Sequence, residues 1–328
     1  MTNRNPPHSK RPDAGPAAGN ARPSVFGALP TRMPAPGPTV SLRDPIDARV
    51  ESKRRLLAKL SRVRPMSATA QRVLALTGTS DANVNVIADA IAGDPALATE
   101  TLRIANSAVY RRAYPIEDLR RAVMTLGLDQ LHAMATAMAL LGTVSSDHPL
   151  FDELHAASVL GGTLAGLLTT ELYEVEKSAA FIAGLLAEMG AMACLMVDDD
   201  YAALHRAANR DPSARERAEL EAYGMTTWEV AGQLLAKNRV PEAIVQAVSQ
   251  PTDLRGKEVP LLARLVVFSR SAAPTLLEAE KDGGIASVRE RLEGYASLAE
   301  LAIETDVLLS LCDWAISSAS FMRGPSSS

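Results

Sequence analysis

Phe181–Val197, FIAGLLAEMGAMACLMV, is the most continuously apolar stretch of the chain and carries one carboxylate, Glu188. A helix that is apolar on nearly every side has to be covered on nearly every side. The stretch therefore predicts the central helix of the main core, with other helices wrapped around it. It falls short of the roughly 20 apolar residues that a bilayer-spanning helix needs, and a mid-helix carboxylate is poorly tolerated in lipid. Asp198, Asp199 and Asp200 close it abruptly. The functional question is what Glu188 does there.

Around this segment the helical signals hardly stop. Alternating strand-like runs are missing and alanine is abundant, so the chain reads as all-α. At 328 residues and 47% hydrophobic content it can bury a sizeable core in one or two domains. A net charge of −4 and a pI near 5.8 give no global reason to expect nucleic acid or an acidic membrane as the main partner. Cys194 and Cys312, both in apolar surroundings, form neither a disulfide framework nor a zinc spacing; they read as packing thiols of a reducing compartment. The N-terminus has no apolar run suited to a signal peptide and nothing later reads as a membrane span, so the expected location is the cytoplasm.

Residues 1–43 are rich in Pro, Gly, Ser and Arg and read as a disordered tail, either a solubilising leader or a partner-docking arm. Ser52 to Arg64 is a basic amphipathic helix, with Leu56, Leu57, Leu60 and Val63 on one face. The simpler reading is a docked helix with a cationic outer face; membrane or RNA binding is the alternative. Ser67 caps a helix running to Leu76, a further one covers Val84 to Ala92, and Asp94-Pro95 opens another reaching about Tyr110. Ile116 to Leu126 and Leu128 to Leu141 complete an N-terminal helical subdomain, residues 44–142. A core over 143–258 follows, with helices at Leu150–Leu172, Val175–Val197, Tyr201–Asn209, Arg215–Tyr223, Thr227–Lys237 and Pro241–Val248. Residues 259–328 read as a helical extension with a short flexible end, able to pack back on the core through Pro260–Ala273, Ile285–Tyr295 and Ile303–Met322.

Two stretches carry a family pattern. DPALATETLRIANSAVY (Asp94 to Tyr110) followed by PIEDLRRAVMTLGLDQL (Pro115 to Leu131) resembles the opening half of the bacterial HDOD domain, in order and in spacing. FIAGLLAEMG (Phe181 to Gly190) resembles the helix that carries the His-Asp pair in this family and in the related HD phosphohydrolases. The resemblance extends from about Val63 to Pro251. It implies an N-terminal helical subdomain packed on an HD-like helical core, and a place in bacterial signalling, including cyclic-dinucleotide pathways.

A working HD site needs imidazoles and carboxylates converging on one or two divalent ions that polarise phosphate and generate hydroxide. On the resemblance, the His-Asp pair falls at Ala187 and Glu188. In LHAASVLGGTLA (Leu154 to Ala165) the family's histidine falls at Ala157, with His155 at a tryptophan position and Ser158 retained; a shifted register would offer His155 instead. In YGMTTWEVAGQLLAKNRVPEAI a histidine falls at Thr227 and a tryptophan at Asn238, and the His-His pair before a proline is Ser249-Gln250 ahead of Pro251. One carboxylate among alanine, threonine, serine and amide side chains is expected to hold no catalytic metal, and no cofactor is expected.

Glu188 is expected either hydrogen-bonded or at the surface, because burying an unpaired carboxylate is costly. His155, His132 and His205 sit singly at helix-like positions and read as structural. Asn106 and Ser107 are expected to bond backbone at the junction of the two halves, with a ligand cleft as the alternative. Arg111, Arg112, Arg120 and Arg121 bracket the Tyr114-Pro115 loop, as exposed helix-end charges or as an anion or nucleotide site. Met124, Met134, Met138, Met189, Met192 and Met196 read as core filler. The expected function is a non-catalytic regulator that binds signalling proteins. The alternatives are a receptor holding a nucleotide without cleaving it, a residual hydrolase using His155 and Glu188, and nucleic-acid binding through the basic helix and tail.

Overall fold

The computed structural model describes residues 43–61, 72–73, 75–76, 83–106, 114–128, 131–132, 137, 139, 141–208, 211–238, 240–282 and 284–323. Among them the regular structure is helical, with no strand. The tail, Ser107, Arg111, Arg112, Met134, Met138 and most of the helix expected after Ser67 lie outside the described residues.

The N-terminal half builds α1 (Arg43–Leu60), α2 (Val84–Ala92), α3 (Pro95–Ala105) and α4 (Leu119–Leu126). Each start after α1 has the cap its sequence offers. Asn83 accepts from the Asn85 N–H, Asp94 from Leu97 and Asp118 from Arg121, so orphan amides at each helix start are satisfied. α2, α3 and α4 pack on one another, while α1 lies on α9 and α7 of the second half. Leu56 and Leu60 of α1 are buried, Arg54 and Arg55 face outward, and Lys59 reaches Asp198 at 3.4 Å, as a docked helix with a cationic outer face requires.

The core contains α5 (Pro149–Leu168), α6 (Lys177–Leu186), α7 (Met189–Val197), α8 (Tyr201–Ala207), α9 (Pro212–Tyr223), α10 (Thr227–Lys237) and α11 (Glu242–Val248). The C-terminal segment adds α12 (Leu261–Asp282), α13 (Arg289–Leu298) and α14 (Thr305–Arg323). α5 is enclosed from Ala157 to Leu168: α6, α7, α12 and α14 all pack on the helix. Its approach to α6 depends on absent side chains. A Cβ on Gly184 would stand 2.7 Å from the Gly161 carbonyl oxygen, and one on Gly162 2.8 Å from that of Phe181.

Four expectations are corrected. Val175–Val197 is not one helix; it divides at Ala187-Glu188 into α6 and α7. The cause is visible next door, where α7 crosses α10 so closely that a Cβ on Gly190 would lie 1.9 Å from the Thr227 carbonyl oxygen. The turn re-aims the chain into that crossing. Lys177–Val197 as a whole is long and apolar enough to cross a membrane by length and composition, yet 89% of its most apolar window is buried inside the fold. Secondly, the helix expected from Ile116 starts at Leu119, because Ile116 is held extended by Asn106 and Asp118 caps the following turn. Thirdly, the helix expected to end at Ala273 runs through Pro274 to Asp282. Met124 is also no core filler: it is 64% exposed, whereas Met189 and Met192 are buried.

Candidate functional site: a buried charge cluster at the helix break

The Ala187-Glu188 turn points Glu188 into protein, not solvent: the residue is 1% exposed. Its two carboxylate oxygens each accept from one arm of Arg215 on α9, Nη1 to Oε2 and Nη2 to Oε1, both at 3.2 Å. This fork-to-fork arrangement satisfies a buried carboxylate most fully. Arg215 Nη1 also stands 3.0 Å from His205 Nε2. A guanidinium only donates, so this contact is a hydrogen bond when the imidazole nitrogen accepts.

A second carboxylate closes the cluster. Glu219, one helical turn beyond Arg215, is fully buried; its Oε1 lies 3.8 Å from Arg215 Nε. It accepts from the Tyr201 hydroxyl (3.0 Å), the Thr227 N–H (2.8 Å) and the Thr227 hydroxyl (3.0 Å). Burial pushes the Glu219 carboxyl above its ordinary range, against the opposing pull of Arg215, Thr227 and Tyr201. Burial works against the charge of Arg215 too, but Glu188, Tyr201 and Glu219 outweigh it and hold the guanidinium above its usual value.

Arg270 reaches the cluster from α12. It is 2% exposed, donates to the carbonyls of Val248 (2.9 Å) and Gln250, and lies 3.9 Å from the Trp228 ring centroid; Arg215 lies 4.1 Å from the same ring. Burial lowers Arg270's pKa, with Glu188 opposing that shift and Arg215 adding to it. The Arg270 guanidinium caps the end of α11, taking the carbonyls of Val248 and, in the Ser249-Gln250 pair, of Gln250.

The residues singled out from sequence fare unequally. Glu188 and Thr227 are brought together through Arg215 and Glu219. Ala157 and Ala187 are buried, on α5 and at the break. His155 is on the exposed side of α5 and does not join them. Asn106 is half-buried and ties the end of α3 to Ile116: its amide donates to the Leu102 and Ile116 carbonyls (2.9 and 2.7 Å) and its carbonyl accepts from the Ile116 N–H (2.7 Å). Arg120 and Arg121 are exposed, Arg120 with a loose 3.9 Å contact to Asp89. His205, read as an isolated residue, belongs to the cluster, and sequence reasoning missed Arg215, Glu219, Arg270 and Trp228 altogether. Cys194 and Cys312 are buried thiols, and burial pushes Cys312 up to about 12.

The family model of the HDOD domain matches residues 63–254. The chain belongs to the HDOD family. A crystal structure of an HDOD domain protein with unknown function from Geobacter sulfurreducens is 19% identical over 85% of this chain and 98% of its own, with a TM-score of 0.60. One named "Putative phosphohydrolase", from Shewanella amazonensis SB2B, is 20% identical over 81% of this chain and 97% of its own, also at 0.60. A third, named "Putative signal transduction protein", from Marinobacter aquaeolei VT8, is 21% identical over 84% of this chain and 67% of its own, at 0.54. At these identities they share the HDOD fold. No curated protein matches the chain.

The divalent ion of HD chemistry does not fit these residues. Ala157 and Ala187 offer no donor, Thr227 gives its hydroxyl to Glu219, and both oxygens of Glu188 are taken by Arg215. Among the described residues, no three His, Cys, Asp or Glu side chains are grouped so as to hold a metal ion.

Proposed function

We propose that this chain is a non-catalytic signalling module on an HDOD scaffold, acting by binding partner proteins in bacterial regulation. One observation carries the reading: the carboxylate at the HD position is fully engaged by an internal guanidinium, so the part of the fold that would do chemistry is used for structure. The family supplies the regulatory setting, and one fold relative bears a signal-transduction name while another bears a phosphohydrolase name. The test is the full chain, supplied with manganese or magnesium, against cyclic dinucleotides and nucleotide phosphates. No turnover is expected; hydrolysis that Glu188→Ala abolishes would overturn the reading. A pull-down from native extract, with the full chain and with one lacking the residues before Arg43, is expected to retain signalling proteins.

A second reading, a receptor that holds a nucleotide without hydrolysis, draws on one feature. A cleft with about 20 Å³ of enclosed space is lined by His205, Asp211, Arg215, Arg270 and Pro274, so two cations lie at its wall. That is room for a water molecule and far below the roughly 300 Å³ of a small-molecule site, so a bound nucleotide would require the cleft to open. Calorimetry with cyclic dinucleotides and guanosine nucleotides separates the readings, since absence of heat with every one removes the receptor.

A further inference from the structure

We infer that Arg215 is the resident cation of the former metal pocket: its guanidinium holds Glu188 and Glu219 together as a divalent ion would, and makes the pocket independent of metal. The inference rests on reading this pocket as the non-metal counterpart of an HD site.

Three observations converge. First, Arg215 is surrounded by two carboxylates and an imidazole, Glu188, Glu219 and His205, the residue types that ligate divalent ions but not grouped here so as to hold one. Yet their distances to the guanidinium nitrogens, 3.0 to 3.8 Å, are hydrogen-bond and ion-pair spacings. A metal would draw the same atoms in to about 2.0–2.2 Å. The pocket is thus dilated to the size of a planar organic cation. Secondly, the buried charges need it. Glu188 and Glu219 are 1% and 0% exposed; without Arg215, Glu188 loses both of its hydrogen bonds and Glu219 its cation, keeping only Tyr201 and Thr227. Thirdly, the cation is fixed at its rear by the Trp228 ring, 4.1 Å away, which favours a flat guanidinium over a hydrated ion. Arg270 is the weaker candidate for the same office, because its donors go to backbone carbonyls.

The experiment is a charge cycle on the full chain, read by thermal unfolding with and without manganese, zinc or low millimolar guanidinium chloride. Arg215→Ala strands Glu188 and leaves Glu219 with Tyr201 and Thr227 alone, and is expected to lower the melting temperature by roughly 10 °C. Arg215→Ala with Glu188→Gln removes most of the stranded charge and is expected to recover a good part of that loss. Guanidinium at low concentration is expected to raise the melting temperature of Arg215→Ala, while leaving the wild type and the double variant unraised. The wild type is expected to show no metal-dependent shift. If the double variant melts no higher than Arg215→Ala, Arg215 serves packing on Trp228 and the inference falls. If the wild type binds one manganese or zinc ion and melts higher for it, the inference also falls. Should Arg215→Ala fail to fold, a folded double variant supports the inference, and failure of both while Glu188→Gln alone folds overturns it. Turnover assays leave this result untouched, so it stands or falls apart from the lack of catalysis proposed above.

Discussion

Glu188–Arg215 and Glu293–Arg289 are the same chemical pair at nearly the same distance, 3.2 and 3.0 Å, in two regions that treat them oppositely. The first lies in the centre of the core between α7 and α9. The second lies on the outer face of α13, where Arg289 also reaches Asp306 at 3.3 Å and the three side chains are 42–81% exposed. Removing one member at the surface leaves the other hydrated. Removing one member in the core leaves a charge with nowhere to go. Distance alone therefore says little about what an ion pair contributes; the fate of the abandoned partner decides it.

That difference is open to direct attack. Beyond the Arg215 cycle, the largest effect is expected for Glu188→Ala, which leaves Arg215 buried with Glu219 as its remaining carboxylate: a loss of about 3–5 kcal/mol in urea unfolding. Arg270→Met keeps the volume over Trp228 but abandons the Val248 and Gln250 carbonyls, and about 2–3 kcal/mol is expected, with a change in Trp228 fluorescence. Asn106→Ala strands both polar groups of Ile116 at a half-buried site; about 1–2 kcal/mol is expected, with faster hydrogen exchange at Ile116. Arg289→Ala is expected to leave the unfolding midpoint unchanged within error.

The smallest effect is a titration. The Arg255 side chain, then its backbone N–H, holds the Asp253 carboxyl down to about 2 from an ordinary 3.8. A carboxyl lowered in the folded state stabilises the fold above its unfolded pKa, and that contribution disappears as pH falls through about 2. Carboxyl NMR is expected to show Asp253 titrating late, and returning towards 3.8 in Arg255→Ala.

The sequence made the core legible because burial has a pattern. An unbroken apolar run, helical spacing and the Asp-Pro start lead to α2 through α5 with small boundary errors, and to α6 and α7 as a single helix. The Asp94-to-Tyr110 motif and Phe181-to-Gly190 lead to the family. The helix break was not legible, since Ala187 and Glu188 are good helix formers and the turn follows from the α7–α10 crossing. The cluster was hidden for a different reason. In PSARERAELEAY, Arg215 and Glu219 look like any solvated charges on a polar helix. The usable signal was the mismatch: a helix polar all round beside one apolar all round has to turn some charges inward or remain undocked. The arginines that did attract notice, Arg120 and Arg121, stood out because they are adjacent, and adjacency on a helix places charges on diverging faces.

Arg270 carries one more consequence. It sits beyond residue 254, where the match to the family ends, yet it grips two carbonyls and an indole that lie inside that match. α1 lies before the matched segment and covers α7 and α9 from the other side. The segment that the family model matches is therefore smaller than the unit that folds, and the solved HDOD relatives, alike over 81–85% of this chain, extend well beyond it. A chain cut at residues 63 and 254 would keep every family motif and lose the walls that keep its central charges dry, so the bounds of the motif match are the wrong ruler for deciding where this protein can be divided.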